Sequence, residues 1–73
     1  MKDYWVTYEF HNKKSSATKN LAHIKKDFPN ARLEEDGSKI VITIGHYNDY
    51  ETAMKKVKEL YHKGHWGGIY TPN

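Results

Sequence analysis

Residues 39–61 decide the fold: Lys39-Ile40-Val41-Ile42-Thr43-Ile44-Gly45, then His46-Tyr47-Asn48-Asp49, then Tyr50-Glu51-Thr52-Ala53-Met54-Lys55-Lys56-Val57-Lys58-Glu59-Leu60-Tyr61. The first segment is β-branched at nearly every position and apolar on both sides of its alternation, as a central strand is. The last carries Tyr50, Ala53, Met54, Val57, Leu60 and Tyr61 at helical spacing, an apolar stripe below a lysine-rich back. Asn48, with Glu51 three residues on, is expected to close a capping box at its start. Lys63 in the last turn and Gly64 beyond it mark its end.

Working outward, Tyr4 to Phe10 alternates Tyr4, Val6, Tyr8 and Phe10 against Trp5, Thr7 and Glu9, the period of a strand. Ser15 or Ser16 is placed to cap a first helix whose stripe is Ala17, Leu21, Ile24 and Phe28, and Pro29 stops it. Ala31 to Glu35 predicts a short polar edge strand, Asp36-Gly37 a hairpin turn, and Gly67 to Tyr70 a final strand. The halves echo each other at an offset of 36: Val6 and Thr7 fall on Ile42 and Thr43, Asn12 on Asn48, Ala17 on Ala53, and Ile24 on Leu60. A repeated unit in the order β-α-β-β-α-β predicts an α+β fold, the ferredoxin-like sandwich. Its four-stranded antiparallel sheet carries two helices on one face and leaves the other open. The whole of 1–73 forms one domain, with halves at about 4–35 and 39–71.

The 73 residues carry no cysteine, which excludes a disulfide framework and a thiolate metal site. A chain of this size buries only about 60% of its unfolded surface, so its stability must come from economical packing. Ten aromatic residues argue against disorder. No basic segment followed by an apolar run opens the chain, and no apolar run nears the roughly 20 residues that cross a bilayer. Those features predict a cytoplasmic protein with no membrane span. A net charge of +3 permits nucleic-acid binding without demanding it.

Ser15, Ser16 and Ser38 sit where caps and turns need them, outside any nucleophile elbow. His11, His23, His46, His62 and His65 offer no set of three or four converging ligands, and are expected to be exposed surface residues. Neither catalysis nor a metal or other cofactor is therefore expected. Lys55, Lys56 and Lys63 lie opposite the apolar stripe and form a basic surface. If Val6, Tyr8, Leu33, Ile42, Ile44 and Ile69 face the helices, the open face carries Trp5, Thr7, Glu9, Arg32, Glu34, Val41, Thr43, Gly68 and Tyr70. Trp5 and Tyr70 there could stack on a flat ligand or simply cover one another. The third strand lacks the aromatic pattern of an RNA-reading sheet.

The run Ile42-Thr43-Ile44-Gly45-His46-Tyr47, followed by Ala53 and Leu60, resembles the repeat of the SPOR (sporulation-related repeat) family of peptidoglycan-binding domains. The first half matches through Val6-Thr7-Tyr8, Ala17 and Leu21, but Glu9 replaces the repeat's glycine and Phe10 arrives one residue early. The resemblance implies a ferredoxin-like sandwich whose open face receives glycan strands, with Thr7, Thr43, Trp5 and Tyr70 as contacts. That family acts in the envelope, whereas the sequence predicts a cytoplasmic chain.

The reading from residues is a small non-catalytic module, of bacterial or phage type, that docks on a protein, as an interaction or inhibitor protein of a mobile element would. Glycan binding on the sheet and nucleic-acid binding through the lysine-bearing helices are the alternatives. The chain is expected to be a monomer, or a homodimer paired through its edge strands.

Overall fold

The computed structural model describes residues 3–11 and 14–72, the side chains of residues 9–11, 14 and 15 excepted. The elements are β1 (Tyr4–His11), α1 (Lys14–Ile24), β2 (Arg32–Asp36), β3 (Lys39–Tyr47), α2 (Tyr50–His62) and β4 (Gly68–Tyr70). The strands form one antiparallel sheet in the order β2-β3-β1-β4, so the isoleucine-rich β3 lies inside it and the two shortest strands form the edges. Among the described residues no helix is long and apolar enough to cross a membrane.

Alternation sorts the strand residues as their pattern requires. Val6 and Tyr8 of β1, and Ile42 and Ile44 of β3, join Ile24, Phe28, Ala31, Ala53, Val57 and Leu60 in one buried cluster, with Leu33 and Ile69 packed against it. Both helices thus cover the same face of the sheet. Full burial of a side chain the size of valine or leucine contributes roughly 1.5–3 kcal/mol, and this cluster is where the chain gains most of its stability.

Several local expectations shift. Helix α1 already includes Ser15 and Ser16, so neither stands at its cap. Its last turn unwinds at Ile24, yet the amide of Phe28 still donates to the Ile24 carbonyl at 2.9 Å, carrying the ring into the core before Pro29. Asp49, and not Asn48, caps α2: its carboxylate accepts from the Thr52 amide at 2.9 Å and the Thr52 hydroxyl at 2.8 Å. An ionised carboxylate suits the positive end of a helix better than an amide does. The β2–β3 hairpin pairs Asp36 with Lys39, so its loop is Gly37-Ser38; φ of 62° at Gly37 meets the demand of a type II′ turn. Strand β2 begins at Arg32 because Ala31 turns into the core.

Helix α2 ends in a Schellman motif. With Gly64 at φ 84°, its amide donates to the Tyr61 carbonyl and the amide of His65 donates to that of Leu60, both at 2.9 Å. The reversal turns His65 inward and corrects the expectation that it is exposed. Its ring is buried, meets Tyr8, His23 and Phe28 edge-on, and bonds Asp27 at 2.7 Å. That hydrogen bond is the main reason the Asp27 carboxyl ionises below its ordinary value.

Candidate functional site

The sheet face away from the helices departs from the expectation of a bare surface. Thr7, Val41 and Thr43 are only 2%, 0% and 1% exposed. Their side chains are therefore out of reach, although all three were expected among the contacts. The Glu9 side chain lies outside the described residues. Trp5 stacks flat on His46, 4.6 Å between centroids and 6° between planes, and Tyr70 leans on its other neighbour side at 5.8 Å. The Tyr70 hydroxyl donates to Asp36, joining one edge strand to the other, and Lys39 stands over its ring. His46 in turn contacts Glu34 through Nε2, and Glu34 accepts from the Thr43 hydroxyl at 2.5 Å. Arg32 reaches the same carboxylate at 3.5 Å and is otherwise exposed.

Asp36, Tyr70, Trp5, His46 and Glu34 therefore form a ring of side chains that begins and ends on β2. Burial pushes the Glu34 carboxyl up, but the bonds from Thr43 and His46 and the charge of Arg32 outweigh it, and its pKa is lowered. Trp5 Nε1 is buried with no hydrogen-bond partner among the described residues. The polar groups of this face are largely engaged with one another.

His46 reaches this face because the alternation of β3 breaks. Val6 pairs with Gly45 but Thr7 pairs with Thr43, so Ile44 is an extra residue and Thr43 and His46, three apart, share one side. Strict alternation would have sent His46 toward the helices. The glycine at 45, beside the bulge, was the available sign.

The expected basic surface also divides. Lys56 and Lys63 stand 5.7 and 5.8 Å from the centre of the Phe28 ring, and Lys56 pairs with Glu59 at 2.9 Å. Both ammonium groups are thus engaged along the α1 side of α2. Lys55 remains on the solvent crest. A hollow of about 260 Å³ lies beside Lys56 and Glu59, floored by Phe28, Ile44 and Tyr47. Among the described residues no group of three or more His, Asp or Glu side chains could hold a metal ion.

The surface that sequence reasoning missed lies on the opposite flank of α2. Tyr50 and Tyr61 were expected in the core stripe but are 54% and 48% exposed, and Trp66 is 74% exposed. Eleven residues separate Tyr50 from Tyr61, three turns and only about 20° of rotation, over a rise of roughly 16 Å. They therefore stand on one flank, with half-buried Met54 between them. Tyr50 meets Tyr4 of β1 edge-on at 5.7 Å, while Tyr61 meets Trp66 edge-on at 5.4 Å and its hydroxyl reaches the Gly67 carbonyl. The Schellman turn and the close seating of Gly67 against Thr7 fix Trp66 at the end of this stripe. The spacing of the two tyrosines was the signal in the sequence. No family model, curated protein or solved structure matches this chain.

Proposed function

We propose that the chain is a non-catalytic docking module that seats on another protein through the β4-side flank of α2. The carrying observation is that Tyr50, Tyr61 and Trp66, its three large exposed apolar side chains among the described residues, stand along that flank. Exposed aromatic residues gathered on one surface are what protein interfaces use as anchors, tryptophan and tyrosine above all. The element order βαββαβ with strands β2-β3-β1-β4 supports a ferredoxin-like reading of the scaffold.

The alternatives draw less support. Nucleic-acid binding through the lysines would need free ammonium groups, and Lys56 and Lys63 are held over Phe28. Glycan binding as the SPOR resemblance implies would need Thr7 and Thr43 within reach, and both are covered. Trp5 already stacks on His46.

A photo-crosslinking residue at Lys58, between the crest and the stripe, tests the docking reading against the same residue at Asn30. A discrete protein adduct from position 58 that disappears with Trp66→Ala is the expected result. Adducts from position 30 alone, or an adduct that survives Trp66→Ala, would overturn it.

A further inference from the structure

We infer that the segment seated on this flank is an acidic amphipathic helix. The inference rests on the docking reading above and names the chemistry of the partner. The stripe is straight and one helix long: Tyr50, Met54 and Tyr61 follow the axis of α2, Val57 closes the gap beneath them, and Trp66 stands at the far end. A second helix laid alongside meets such a row with apolar residues at its own i, i+4, i+7 and i+11 positions. An extended strand would instead need a long free edge nearby, and β4 has three residues.

Charge selects among helices. The crest bordering the stripe carries Lys55, Lys58 and His62, all exposed, and its acids, Glu51 and the cap carboxylate of Asp49, are confined to the first turn. No ion pair engages Lys55 or Lys58 among the described residues, beyond the pull of Lys55 that helps lower the Asp49 carboxyl. Lys56, and Lys63 at the C-cap of α2, lie over Phe28 on the other side. A partner helix therefore meets cations along one border of its apolar face, and carboxylates there are steered in and held. A second copy of the chain, itself at net +3, would bring the same lysines and is disfavoured.

Three fluorescent synthetic helices with one leucine face, flanked by glutamate, glutamine or lysine, test this by anisotropy on the full chain. The glutamate peptide is expected to bind about tenfold tighter than the glutamine one, with the lysine peptide weakest and the spread shrinking in salt. Lys55→Glu with Lys58→Glu should invert the order. Equal binding of the glutamate and glutamine peptides, or an order that survives the double reversal, would overturn the acidic partner while leaving docking intact, provided Trp66→Ala weakens all three. Failure of every peptide to bind, or indifference to Trp66→Ala, would instead remove the docking surface itself.

Discussion

Gly67→Ala is expected to be among the most damaging single-methyl additions to this chain. A Cβ at position 67 would stand 2.3 Å from the Thr7 carbonyl oxygen and 2.7 Å from Leu60 Cδ1, where ordinary contact begins at 3.4 Å. The Thr7 oxygen is backbone of a central strand and cannot swing away, so β4 must retreat by about 1 Å, a distance at which hydrogen bonds weaken steeply. Overpacking of this kind costs about 1–3 kcal/mol. Loosening the Thr7–Gly68 pairing, including the bond from the Thr7 hydroxyl to the Gly68 carbonyl at 3.3 Å, adds about 0.5–1.5 kcal/mol. The sum is about 1.5–4.5 kcal/mol, against a total stability of about 4–11 kcal/mol for a domain of this size. Urea unfolding should show it as a midpoint lowered by about 3 M, the middle of that range, for a slope near 1 kcal/mol/M. Gly68→Ala is the control, because a Cβ there meets nothing within 4 Å. Equal midpoints for the two variants would refute the reasoning.

Asp49→Ala should lower the midpoint of the same unfolding assay through loss of the cap on Thr52, whereas Asn48→Ala should leave it nearly in place. A double-mutant cycle on Trp5 and His46 should give a coupling of about 0.5–1.5 kcal/mol for the stacked rings; additive losses would mean that the stack contributes nothing. Asp27, Glu34 and Asp49 all ionise below their ordinary values, so the stability they add is present above the unfolded values of 3.8 and 4.5 and is lost as pH falls through the folded ones. Thermal unfolding should accordingly hold steady from neutrality to about pH 5 and fall below it, and Asp27→Asn should shallow that fall. A profile that stays flat into strong acid would contradict this.

Much of the scaffold was legible because periodicity reports burial. Val6, Tyr8, Ile42 and Ile44 alternate toward the helices, and Ala17, Ile24, Ala53, Val57 and Leu60 recur at helical spacing, so the core could be read residue by residue. The site was far less legible. Alternation cannot announce a bulge, so His46 was not placed beside Trp5, nor could a local pattern show Tyr70 reaching across the sheet to Asp36. The stripe of α2 was read as wholly buried because tyrosine counts as apolar in any pattern. The angular positions of Tyr50 and Tyr61, about 70° and 90° from the line of Leu60 and Ala53 toward β4, put them at the margin of the core, just beyond buried Val57. His65 was misjudged for a related reason. Its burial follows from the turn at Gly64 and from Asp27, which lies 38 residues away in sequence.

The most direct measurement is the affinity of a captured protein partner for the chain and for its Trp66→Ala variant, with Trp5→Ala beside them and folding of each checked by circular dichroism. A three-quarters exposed tryptophan at the end of an aromatic row should behave as an interface anchor, so Trp66→Ala is expected to cost about 2 kcal/mol, roughly 25-fold in Kd. Trp5→Ala, if it folds, should leave affinity within about threefold. Unchanged binding by Trp66→Ala, with binding abolished by a folded Trp5→Ala, would place the partner on the sheet and contradict the account.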